Sequence, residues 1–87
     1  MSIEKIELTV SGVDLAFAPT ATDYNNMINS MQPDNKVAPA QQFLARTVLP
    51  AHADALKEVL KRPGAVLQLM EIVISRYAPK LEIEVKE

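Results

Sequence analysis

His52 and the two carboxylates that follow it, Asp54 and Glu58, come nearest in type and spacing to a reactive site in this chain. Carboxylates four residues apart share a helical face, and such a pair can divide acid and base work when its surroundings push the two proton affinities apart. Here Lys57, Lys61 and Arg62 crowd the same short segment, a pattern that reads as a solvated surface laced with ion pairs. His52, just after Pro50 at a helix start, is a surface residue by default. A zinc site needs three or four converging ligands. This chain has one histidine and no cysteine, and Glu82 and Glu84 alternate along a strand, offering hard oxygens at best. The only glycines, Gly12 and Gly64, are too far apart for a phosphate-cradling loop. These residues predict no enzyme, no metal and no cofactor.

Composition narrows the classes further. Eighty-seven residues give room for one domain, residues 1–87, with one core and modest stability. Without cysteine there are no disulfides, so the apolar core must carry the fold. Nine basic residues against eleven acidic ones leave a net charge of −2 with no basic face, which argues against nucleic acid as a partner. The N-terminus alternates acidic and apolar residues where a signal peptide has a basic start and a continuous apolar run. The longest apolar stretch, Ala65 to Ile74, is interrupted by Gln68 and Glu71 and is too short to cross a bilayer, so no membrane association is expected.

The elements follow from periodicity. Ile6, Leu8 and Val10 alternate with Lys5, Glu7 and Thr9, and Ser11-Gly12 supplies a two-residue turn. The resulting hairpin sets Val10 opposite Val13, Leu8 opposite Leu15 and Ile6 opposite Phe17, apolar against apolar on one face. Ile3 is out of phase with this pattern. Thr20 reads as an N-cap with Asp23 three residues on, opening a helix whose apolar side is Tyr24, Met27, Ile28 and Met31, and Pro33 ends it. A second helix starts at Pro39, suited to a first helical position, with Ala40, Phe43, Leu44, Thr47 and Val48 as its stripe. Pro50 stops it. A short third helix carries Leu56, Val59 and Leu60 to Lys61-Arg62. Pro63-Gly64 opens the last, running to about Tyr77. After Ala78-Pro79, Leu81, Ile83 and Val85 alternate with Glu82, Glu84 and Lys86, the pattern of a half-buried strand.

This order of elements predicts an α+β fold: the N-terminal hairpin plus the C-terminal strand form a three-stranded sheet packed on one face by three to four helices. The first strand, with the longest apolar face, is expected in the middle, and the second strand with Ala16 and Ala18 at an edge.

Binding surfaces are sought where apolar side chains exceed what the core takes up. Asn25, Asn26, Asn29 and Asn35 read as solubility and turn residues, and Met27 and Met31 as core packing, although thioethers also suit adaptable surfaces. The last helix is different. At 100° per residue, Val66, Met70, Val73 and Tyr77 centre its core face, Leu69 flanks one side, Leu67 and Ile74 the other, and Ile72 falls within the polar arc of Gln68, Glu71, Ser75 and Arg76. A central helix with covered flanks would bury these residues without a partner. Left exposed, Leu67, Leu69, Ile72 and Ile74 form the candidate protein-binding surface, open to a client or to self-association into a homo-oligomer.

Several segments together carry a family resemblance: the hairpin with its glycine turn, Thr20 with Asp23-Tyr24-Asn25, Asn35-Lys36-Val37-Ala38-Pro39-Ala40, Phe43-Leu44, Arg46-Thr47-Val48, Pro63-Gly64-Ala65 and Tyr77-Ala78-Pro79. In these the chain resembles small bacteriophage tail assembly chaperones along nearly its whole length, least between Leu49 and Lys57. The resemblance implies a non-catalytic protein of the host cytoplasm that holds the tape-measure protein soluble, and with it tail tube subunits, until the tube assembles. It assigns no binding residues. Two other classes stay open, a small prophage regulator and a structural subunit of the virion, both acting by protein contact; presence in purified particles favours the subunit.

Overall fold

Ser11 and Gly12 both adopt left-handed backbone angles, with φ of 49° and 83°, the pairing that lets a two-residue turn match the twist of the strands it joins. The turn links β1 (Ile6–Val10) to β2 (Val13–Phe17) in the expected antiparallel register, Ile6 with Phe17, Leu8 with Leu15 and Val10 with Val13. The computed structural model describes residues 5–78 and 81–86; Ile3 and Pro79 lie outside them. Among the described residues four helices follow the hairpin, α1 (Ala21–Ser30), α2 (Val37–Thr47), α3 (Ala53–Val59) and α4 (Ala65–Tyr77), with one 3-10 turn at Pro50–His52 leading into α3.

Local chemistry accounts for most of the boundaries. Thr20 caps α1: its hydroxyl oxygen accepts from the Asp23 backbone N–H at 3.2 Å, and the hydroxyl donates to the Asp23 carboxylate at 2.9 Å. Helix α2 starts at Val37, two residues ahead of the expected Pro39. Proline is tolerated at its third position because an N–H there has no partner within the helix. At the other end the Thr47 hydroxyl donates back to the Phe43 carbonyl at 2.8 Å, which satisfies the one polar residue among the buried set.

The core joins Leu15 and Phe17 of β2 to Met27 of α1, Ala40, Phe43 and Leu44 of α2, Leu56 and Val59 of α3, and Ala65, Val66, Leu69 and Val73 of α4. Helix α2 is central, packing against both α1 and α4, while α3 lies against β2.

Two expectations about the sheet are overturned. The sheet has two strands, not three: Leu81–Lys86 forms no strand, and Leu81, Ile83 and Val85 are 74%, 78% and 84% exposed. The radius of gyration, 14.0 Å, exceeds the roughly 12 Å of a compact chain of this length, in keeping with a segment lying off the core. Alternation in residues 81–86 did not make a strand, because a strand needs a pairing partner as well as a period-two pattern. Strand order is also reversed from expectation. The residues just after α2 reach β2 first: Phe17 is bridged to Val48, Ala18 N–H donates to the Thr47 carbonyl at 2.8 Å, and Leu49 N–H donates to the Ala16 carbonyl at 2.9 Å. Strand β2 is therefore held on both sides, with Leu15, Ala16 and Phe17 all buried. Strand β1 is the edge, with Ile6, Leu8 and Val10 only half-buried.

Candidate functional site

Helix α4 is the most apolar of the helices described, and its orientation decides which of its apolar side chains stay exposed. The buried side chains are Ala65, Val66, Leu69 and Val73, whereas Met70 and Tyr77, expected near the centre of the core face, are half-buried. On a helical projection the buried face is turned by about 60° toward Leu69. The physical reason is what covers the helix: α2 and β1 pack on it, and no strand from residues 81–86 lies beside it to widen the sheet.

The four candidate residues thus separate. Leu69 is 5% exposed and belongs to the core. Leu67 is 36% exposed, and Ile74, one helical face with it, is half-buried at the rim of the core. Leu67, Met70, Ile74 and Tyr77 fall at i, i+3, i+7 and i+10, so the rotation produces one continuous, partly exposed apolar stripe along this flank. Tyr77 closes the stripe against Tyr24 of α1, ring centroids 6.2 Å apart. Met70 and Tyr77 were assigned to the core by the sequence; their spacing with Leu67 was the available signal, and the direction of burial was not.

Ile72, 49% exposed, lies on the opposite flank. It lines a groove of about 270 Å³ between α4, the hairpin turn and the end of α3, together with Val10, Val59, Leu69 and Arg62. Two further apolar side chains stand out on the surface, Ile28 of α1 and Val37 at the start of α2.

The residues considered first for chemistry are placed otherwise. Glu58 pairs with Lys61 at 3.0 Å, both side chains well exposed, and Asp54 is exposed one turn earlier. His52 is not a free surface residue: its Nδ1 lies 3.0 Å from the Asp14 carbonyl oxygen. That oxygen can only accept, so Nδ1 carries the proton and donates, tying the 3-10 turn to β2. Among the described residues no three histidine or carboxylate side chains converge as a metal site, and no helix is long and apolar enough to cross a membrane.

The α4 flank is thus a partly exposed strip of apolar side chains on a small domain, and sequence comparison supplies the setting. The family model for phage tail assembly chaperones matches residues 6–87. The chain belongs to that family. An uncharacterised 11.3 kDa protein of Haemophilus phage HP1 is 31% identical over 83 residues, covering 95% of this chain and 81% of the relative. No solved structure matches the chain. For a tail assembly chaperone, the relevant surface is one that grips a protein partner and lets it go.

Proposed function

We propose that this chain is a non-catalytic holding chaperone of the infected cell's cytoplasm. Its client is the tape-measure protein, a long, largely helical chain that needs protection until the tail tube closes around it. Membership of the tail assembly chaperone family carries the reading, and the half-exposed stripe on α4 gives it a physical form. A client helix presents apolar anchors at i, i+3, i+4 and i+7, and Leu67, Met70, Ile74 and Tyr77, at i, i+3, i+7 and i+10, offer a helical stripe in return. These side chains are partly buried at rest, so each contributes modestly and none dominates. That combination favours moderate affinity and easy release, which suits a holder displaced as tube subunits arrive. The stripe accommodates exposed apolar faces on tube subunits in the same way.

Co-expression tests the reading. A tape-measure fragment from the same phage should stay in the soluble fraction with this chain present and aggregate without it. A fragment equally soluble in both cases, with no complex recovered, would count against the client assignment.

A further inference from the structure

The groove between α4, the hairpin turn and the end of α3 plays no part in the client surface, which lies on the opposite flank of α4. Its floor is apolar: Val59 and Leu69 are buried, Val10 is half-buried, and Ile72 stands 49% exposed along one wall. At about 270 Å³ it falls below the roughly 300 Å³ at which pockets for small organic ligands begin, which leaves room for the side-chain anchors of a protein partner rather than for a cofactor. Its charge is one-sided. Arg62 is the only charged residue in the lining, and Arg76, four residues after Ile72, places a second guanidinium one turn along the same flank. Both arginines are exposed, and the one ion pair among the described residues, Lys61 with Glu58, involves neither. In a chain of net charge −2, an apolar groove is thus bordered by unpaired basic groups.

We propose that this groove is a second docking site whose occupant is an acidic amphipathic helix of a protein partner, with a large apolar side chain seated against Val10, Leu69 and Ile72 and carboxylates meeting Arg62 and Arg76. Charge complementarity selects the occupant. A guanidinium pairs with a carboxylate bidentately, whereas a basic helix would set like charge against both arginines, with no carboxylate in the lining to offset it. Exposure divides the roles. Ion pairs this open to water contribute little affinity, so the apolar floor holds the partner, and the arginines select its charge and speed its arrival. A helix suits the wall, because Ala65, Leu69 and Ile72 recur at i, i+4 and i+7 and form a ridge against which a second helix packs. A nucleic-acid strand needs a run of phosphate contacts that two arginines do not supply. Because the groove and the Leu67 stripe lie on opposite flanks of α4, both can be filled at once.

Fluorescence anisotropy with the full chain tests this. The probes are two labelled peptides of about 18 residues, long enough to form a helix alone, with the same leucine stripe and either glutamates or lysines beside it. The glutamate peptide is expected to bind at least about tenfold more tightly, and the preference should shrink as salt is raised. Ile72→Gln should weaken glutamate-peptide binding by at least about tenfold at an unchanged melting temperature. Arg62→Glu with Arg76→Glu should reverse the preference, and Leu67→Gln should leave it as it is. Equal binding of the two peptides overturns the proposal, as does a folded Ile72→Gln chain that binds the glutamate peptide as before, or a Leu67→Gln chain that loses it. A labelled oligonucleotide that binds more tightly than the glutamate peptide, and is lost with the two arginines, assigns the groove to nucleic acid and overturns it too. Binding that tightens in a Leu81→Ser, Ile83→Ser chain makes the chain's own C-terminal segment the occupant, and the partner assignment falls. No tape-measure fragment enters this measurement, so failure of the client reading leaves its result standing.

Discussion

Phe17 of β2 is bridged to Val48, the first residue beyond α2, and this contact organises the molecule. It fastens the C-terminal end of the central helix to the strand carrying the largest core side chains, so that β2 is held by β1 on one side and by the residues at the end of α2 on the other. The more regular apolar strand, β1, is left at the margin.

Truncations in the two strands should register that asymmetry. Leu15 is 1% exposed and Leu8, opposite it, is half-buried. Leu15→Ala is expected to cost about 3–5 kcal/mol and Leu8→Ala about 2 kcal/mol, measured by urea denaturation. Equal losses would mean that β1 is as central as β2.

The turn offers a gain. Ser11 holds a positive φ of 49°, a conformation that costs most residues with a Cβ about 1 kcal/mol and that asparagine adopts more readily. Ser11→Asn should raise stability by roughly 0.5 kcal/mol, seen as a higher denaturant midpoint at unchanged slope. Gly12→Ala at φ 83° should lower it by about 1 kcal/mol or more, although no atom lies near enough to clash with the added methyl.

The cap of α1 is a separate term. Thr20→Ala removes the acceptor for the Asp23 N–H and is expected to cost about 1 kcal/mol. His52→Ala loses the exposed bond to the Asp14 carbonyl and should cost about 1 kcal/mol, with client binding unchanged. Loss of function in a folded His52→Ala protein would reopen the question of chemistry at that residue.

Much of the fold was legible because local signals agreed with one another. The hairpin register followed from three apolar pairs and a glycine turn, α1 from its cap, and the buried stripe Ala40, Phe43, Leu44, Thr47 of α2 from its spacing. The sheet was misread where the deciding contact is non-local. Nothing in Thr47-Val48-Leu49 marks it as the partner of β2, since the last residue of a helix and the two after it are too few to show alternation, while residues 81–86 display a full strand pattern and yet lie unpaired. The proposed client surface was read in part. Leu67 and Ile72 were legible as surplus apolar residues, but the rotation that buries Leu69 and uncovers Met70 and Tyr77 depends on what packs against α4.

That rotation gives the central claim its sharpest test, a comparison of Leu67→Glu with Val73→Glu in thermal stability and in pull-down of a tape-measure fragment. Val73 is 0% exposed, and an unpaired charge there should unfold the domain. Leu67→Glu should keep a melting temperature close to the parent's and lose at least about tenfold in client affinity, while Ile72→Glu on the other flank keeps it. A folded Leu67→Glu protein that binds the fragment as tightly as the parent would contradict the account.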